Sequence, residues 1–214
     1  MTFIVVVLGW IFSLCLHEFS HALVAYNGGD TTVREKGYLT FNPLKYTHPV
    51  YSLLLPLVFL LLGGIGLPGG AVYIETQRLR SRGWVTAVSL AGPLSNLVLA
   101  ILLGLIFRFA PVSPGGIWPG LAFLALLQVT AALFNLLPVP PFDGYGALRP
   151  HLGPGFRASM DSFAQVSMWV VLAAFWYLPV VSSVFWQAVG LIARLVGIPL
   201  DLAVLGQSQF IFWR

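Results

Sequence analysis

The sequence predicts an all-α polytopic membrane protein with about five to six transmembrane helices, a re-entrant segment near 50–67 and short β-strands at the membrane face. Composition is the first ground. Of 214 residues, 58% are hydrophobic and 8% are charged, against roughly one quarter charged in soluble domains, and the mean hydropathy is +0.88. So little charge cannot keep a folded surface in water, and most of that surface must face lipid. The second ground is periodic: apolar runs of about twenty residues, long enough to cross a hydrocarbon core, recur along the chain. The third is punctuation, because "VSPGG" at 112–116 and "PVPPFDGYG" at 138–146 break helices between runs.

Taken in order, spans are expected at 2–26, 84–107, 117–137 and 162–180, with a weaker fifth at 183–200. The N-terminal run lacks the basic n-region and small-residue cleavage site of a signal peptide, so it is expected to stay as a span. Residues 50–67 are apolar but short, with Pro56 near the middle and Gly63, Gly64 and Gly66 at the end. They either cross the membrane or dip in and return. Loop charge separates the two readings, since cytoplasmic loops are enriched in Lys and Arg. A re-entrant 50–67 puts Arg34, Lys36, Lys45, Arg78, Arg80, Arg82, Arg149 and Arg157 on one side, with Arg108 opposite. A full crossing divides them almost evenly. The re-entrant reading is preferred, and such irregular backbone belongs beside protein or a water-filled cavity. The stretches 38–42, "YLTFN", and 69–77, "GGAVYIETQ", have strand-like composition. Residues 1–214 read as one membrane-embedded domain, with no internal repeat and no room for a soluble unit.

Ionisable side chains inside a span cost several kcal/mol and mark functional sites. The run 8–26, "LGWIFSLCLHEFSHALVAY", holds three: His17, Glu18 and His21. On a helix, residues four apart share a face, so both imidazoles can reach one metal ion, while Glu18 points about 100° round. This is HExxH, in which two His bind zinc and Glu is the general base. The bland alternative is a polar cluster holding helices together. Catalytic zinc usually has three protein ligands and one open position. Asp143, in "FNLLPVPPFDGYGALRP" just past the 117–137 span, is one candidate for the third, although Asp-Gly is also a common turn. His48 and His151 are others, each in a Pro-flanked polar loop. The single cysteine, Cys15, excludes an internal disulfide and a CxxC metal site. The net charge of +4 gives no ground for a nucleic-acid partner.

"HEFSH" at 17–21, "AGPLSN" at 91–96 and "NLLPVPPFDG" at 135–144 resemble, in order, the three signatures of site-2 proteases, the intramembrane zinc metalloproteases. "GYLTFNPLKYTHP" resembles the short prokaryotic branch, which lacks PDZ and CBS domains. The resemblance implies one zinc ion bound by His17, His21 and Asp143, with Glu18 activating water. It implies that Asn96 and Asn135 line the site and help hold substrate or the developing oxyanion; a helix–helix hydrogen bond is the alternative for Asn96. It further implies a three-helix catalytic core near 2–26, 84–107 and 117–137, accessory helices near 162–180 and 183–200, and zinc toward the cytoplasmic face. With 50–67 re-entrant, His21, Asn96 and Asp143 fall at one depth; with 50–67 spanning, Asp143 falls on the opposite side. Gly92 and Pro93 admit a purely packing role, and Pro138 and Pro140 shape the segment that aims Asp143. Two departures stand out: the family often has a Pro-containing strand where this chain has "GGAVYIETQ", and Phe142 replaces the usual Leu before Asp-Gly.

The function so implied is hydrolysis of a peptide bond in or near the transmembrane segment of a membrane-protein substrate. The protein would lie in a prokaryotic plasma membrane, multi-pass, with its site toward the cytoplasm. An edge strand from 38–42 or 69–77 could hold the unwound substrate by strand addition. The alternatives are a metal-ion transporter, which would need polar groups in several spans, and a catalytically inactive scaffold.

Overall fold

The computed structural model describes residues 1–46, Val58, Leu60 and 72–211. Its helices are α1 (Thr2–Gly28), the single turn α2 (Thr32–Glu35), α3 (Arg82–Phe109), α4 (Trp118–Asn135), the short α5 (Asp143–Leu148), α6 (Pro154–Tyr177), α7 (Pro179–Leu195) and α8 (Leu200–Phe210). Helices α1, α3, α4 and α6 are long and apolar enough to cross a membrane; α7 and α8, bent by 118°, make a fifth crossing if taken as one. The expected re-entrant segment at 50–67 lies outside the described residues, apart from Val58 and Leu60.

Helices α1, α3 and α4 pack together, and α8 lies along α4. The burial contrast locates the centre: 72% of the apolar window of α4 is buried within the protein, against 6% for α6. Helix α4 is therefore the axis, and α6 lies at the periphery, packing Met168, Val171, Leu172 and Phe175 against the core. Small residues let backbones meet directly. A Cβ on Gly104 of α3 would collide with the Val196 carbonyl, and one on Gly206 of α8 with that of Pro119. Around α4, Trp10, Phe123, Phe134, Phe185 and Phe210 form a continuous aromatic core.

Three expectations are corrected. The span placed at 162–180 begins at Pro154 and ends at Tyr177; proline suits the first helical position, where its missing N–H costs nothing. The run at 183–200 is not one helix. Gly197 takes φ 83°, its amide bonds Arg194 O, and the Ile198 amide bonds Ala193 O. That pair of bonds closes α7 in a Schellman turn, and Pro199 leads into α8. Lastly, no β-strand occurs among the described residues, neither at 38–42 nor in the described part of 69–77. The reason is visible in the hydrogen bonds. The Val72 amide donates to Glu18 Oε2 (3.1 Å) and the Glu75 amide to Asp30 Oδ2 (2.8 Å), so side-chain carboxylates take the donors a ladder would need. The Tyr38 amide bonds Val33 O, and the Thr40 carbonyl accepts from the Tyr46 hydroxyl.

Candidate metal centre

His17 and His21 stand one turn apart on the buried face of α1, as their spacing requires. Asp143 reaches them from the first residue of α5. The segment carrying it is tightly held. Phe142 packs edge-to-face on Phe134, with ring centroids 5.0 Å apart, and its amide bonds Val139 O. A Cβ on Gly144 would fall against the Leu136 and Leu137 carbonyls, so only glycine lets the chain fold back on the end of α4. The aromatic that departs from the family pattern thus anchors the residue before Asp143.

The three ligand atoms converge. His17 Nε2 lies 3.0 Å from His21 Nε2, and Asp143 Oδ2 lies 3.3 Å from the first and 3.4 Å from the second. Ligands about 2.0–2.1 Å from a tetrahedral zinc sit roughly 3.3–3.4 Å from one another, so the triangle, with its His–His edge somewhat short, has about the dimensions of one face of a tetrahedral shell. Together these residues could hold one metal ion.

Hydrogen-bond polarity decides between that reading and a bland polar cluster. His21 Nδ1 lies 2.6 Å from the Val88 carbonyl, which can only accept, so Nδ1 carries the proton. His17 Nδ1 lies 2.9 Å from Asn96 Oδ1. The Asn96 amide is oriented by a relay through the core: Gln128 Nε2 donates to Leu124 O, and Asn96 Nδ2 donates to Gln128 Oε1 (3.2 Å). The acceptor-only carbonyl at the far end fixes both amides, leaving Asn96 Oδ1 to accept from His17. Both imidazoles therefore present Nε2 lone pairs to each other and to a carboxylate oxygen. Lone pairs so arranged suit a cation between them, and Nδ1–H acceptors of this kind orient metal-bound histidine.

Helix α3 completes the centre from behind. A Cβ on Gly92 would overlap the Nε2 atoms of both histidines, so this glycine makes room for the metal shell and is more than a packing residue. Glu18 and Asn135, both buried, line a cavity of about 520 Å³ together with the three ligands. Asn96 does not face it; it lies behind His17 as a holding residue. His151 is remote, bonded to Thr86 Oγ1, and His48 lies outside the described residues. Over the cavity, residues 72–78 are clamped by Asp30, buried, and by Lys36. Lys36 Nζ donates to Glu75 Oε1 (3.0 Å) and lies 4.9 Å from the Tyr73 ring centre. Gln128 and Val88, which help orient the histidines, lie outside the three motifs. A glutamine in mid-span was the available signal for the first; a backbone carbonyl leaves none.

No family model and no solved structure matches the chain. Among curated proteins, it is 46% identical to "Putative zinc metalloprotease Rip2" of Mycolicibacterium smegmatis, over 99% of this chain and 81% of that protein. It is 45% identical to the protein of the same name in Mycobacterium tuberculosis, over 99% and 81%, and 34% identical to "Putative zinc metalloprotease YwhC" of Bacillus subtilis, over 87% and 85%. With near full-length similarity at this level, and its metal-binding triad assembled, the chain belongs to the site-2 protease family.

Proposed function

We propose that this protein is an intramembrane zinc metalloprotease that hydrolyses a peptide bond in or near the transmembrane segment of a membrane-protein substrate, with its site toward the cytoplasmic side. The observation that carries the reading is the buried triad of His17, His21 and Asp143, whose lone pairs converge at 3.0–3.4 Å while both Nδ1 atoms are committed elsewhere. The donor set, its spacing and the room left by Gly92 fit zinc. When bound there, zinc supplies Lewis acidity toward the scissile carbonyl and the attacking water.

The residues divide the remaining work. Glu18 takes a proton from the attacking water as its oxygen bonds the carbonyl carbon, then delivers that proton to the amine as the C–N bond breaks. Its Oε2 accepts the Val72 amide in the resting protein, which leaves Oε1 for the water. Asn135 lines the cavity, where its amide would hold the substrate or the developing oxyanion. Asn96 and the Val88 carbonyl fix the imidazole orientations. A substrate helix has its carbonyls bonded internally, so it must unwind locally to reach Glu18.

The test is zinc content and cleavage together. Purified wild type is expected to carry one zinc per chain and His21→Ala to lose it. Glu18→Gln should keep zinc but fail to cleave single-pass proteins co-reconstituted with it. Wild type lacking stoichiometric zinc would overturn the assignment.

A further inference from the structure

A second cavity, about 330 Å³, adjoins the first and is walled by Arg82, Arg149 and Arg157, with Thr76, Gln77 and Ser89 supplying neutral donors. Only Arg149 is compensated: its guanidinium makes two bonds, 2.9 and 2.6 Å, to the two oxygens of Asp161. Among the described residues neither Arg82 nor Arg157 has a carboxylate within 4 Å. Arg157 Nη2 donates to Leu152 O, while its Nε is buried without any partner, alone in this among the described side-chain nitrogens and oxygens. Two helix starts meet here as well. Arg82 opens α3, Arg157 sits in the first turn of α6, and neither first turn has an acidic residue. A helix N-terminus carries partial positive charge and favours anions, so arginines at both starts compound a field that Asp161, already bonded to Arg149, offsets only in part.

We propose that this arginine-lined cavity binds the phosphate headgroup of an anionic phospholipid. Its surroundings favour a lipid over a soluble anion or an acidic peptide. The cavity lies at the ends of two candidate membrane spans, where headgroups reside, and basic pockets between spans are known headgroup sites. Its flanks are apolar: Phe156 and Leu148, 59% and 47% exposed, adjoin it in sequence. The volume admits a phosphate with its glycerol substituent. Because Thr76, Val85 and Ser89 border both cavities, the bound lipid forms part of one wall of the catalytic chamber.

The test titrates the whole chain, purified in non-ionic detergent, with phosphatidylglycerol, phosphatidylcholine, inorganic phosphate or an oligo-glutamate peptide, and reads retention by native mass spectrometry. Phosphatidylglycerol should bind at least about tenfold more tightly than phosphatidylcholine, whose ammonium opposes the arginines. Arg157→Gln and Arg82→Gln should each weaken it about fivefold; Arg157→Lys should recover most of the loss, and Arg108→Gln, at the far end of α3, should change nothing. Equal affinity of wild type for the two lipids would overturn the proposal, and this arm holds even if a variant fails to fold. So would a double variant that binds phosphatidylglycerol like wild type, or preferential binding of inorganic phosphate or the peptide.

Discussion

Substituting Gly92 by alanine adds one methyl group and should dismantle the metal centre. Built on the observed backbone, that Cβ lies 2.6 Å from His17 Cε1 and closer still to both Nε2 atoms, where ordinary contact begins at 3.4 Å. Either the imidazoles or α3 must therefore retreat by at least about 0.8 Å. Metal–ligand distances tolerate only about 0.2 Å, so displaced imidazoles lose the shell. If α3 retreats instead, the 2.9 Å bond from His17 to Asn96 stretches to roughly 3.7 Å, beyond hydrogen-bonding range, and the 2.6 Å bond from His21 to Val88 lengthens with it. Both routes weaken metal binding, the second by the 10–100-fold typical of lost outer partners and the first by more. The assay is competition for zinc with a calibrated chelator, alongside a thermal melt to establish that the helices still pack. A folded Gly92→Ala protein with wild-type zinc affinity would refute the claim that this glycine makes room for the shell.

Other expectations follow from the same contacts. Asn96→Ala should cost about 10–100-fold in zinc affinity, with Gln128→Leu moving in the same direction through the relay; chelator titration reads both. Glu18→Gln should retain zinc by elemental analysis while the cleavage rate falls about 10²–10⁴-fold. Outside the spans, Arg78 and then Lys36 bond the Glu75 carboxylate and lower its pKa from 4.5 to about 2. Because the folded value lies below the unfolded one, this contribution to stability is present above pH ~4.5 and lost as pH falls through about 2. The difference in melting temperature between wild type and Glu75→Gln should accordingly shrink across that window, and a constant difference would exclude it.

The spans at α1, α3 and α4 could be read from sequence because their apolar runs are long and uninterrupted, and the ligands because a chemical pattern fixed their spacing. The misreadings have physical causes. The first two turns of α6, "PGFRASMD", are too polar to register in a hydropathy window, although Pro154 signals a helix start. At 197–199, "GIP" combines a left-handed glycine and a proline inside an otherwise apolar run, and hydropathy does not see backbone geometry. The strand-like composition of 72–75 lost to Glu18 and Asp30, whose carboxylates captured the amides. Asn96 was visible as a motif residue, but its role depends on Gln128, 32 positions away on another helix; only packing brings those amides into register.

Both Nδ1 partners of the HExxH histidines belong to α3, and the third ligand to α5. Helix α1 thus leaves the ribosome with two imidazoles free to choose either tautomer, and the groups that choose for them are synthesised some seventy residues later. Metal capture must wait for these helices to pack, so a half-made chain holds no assembled metal centre. The enzyme's activity is in this sense a readout of its own completed assembly.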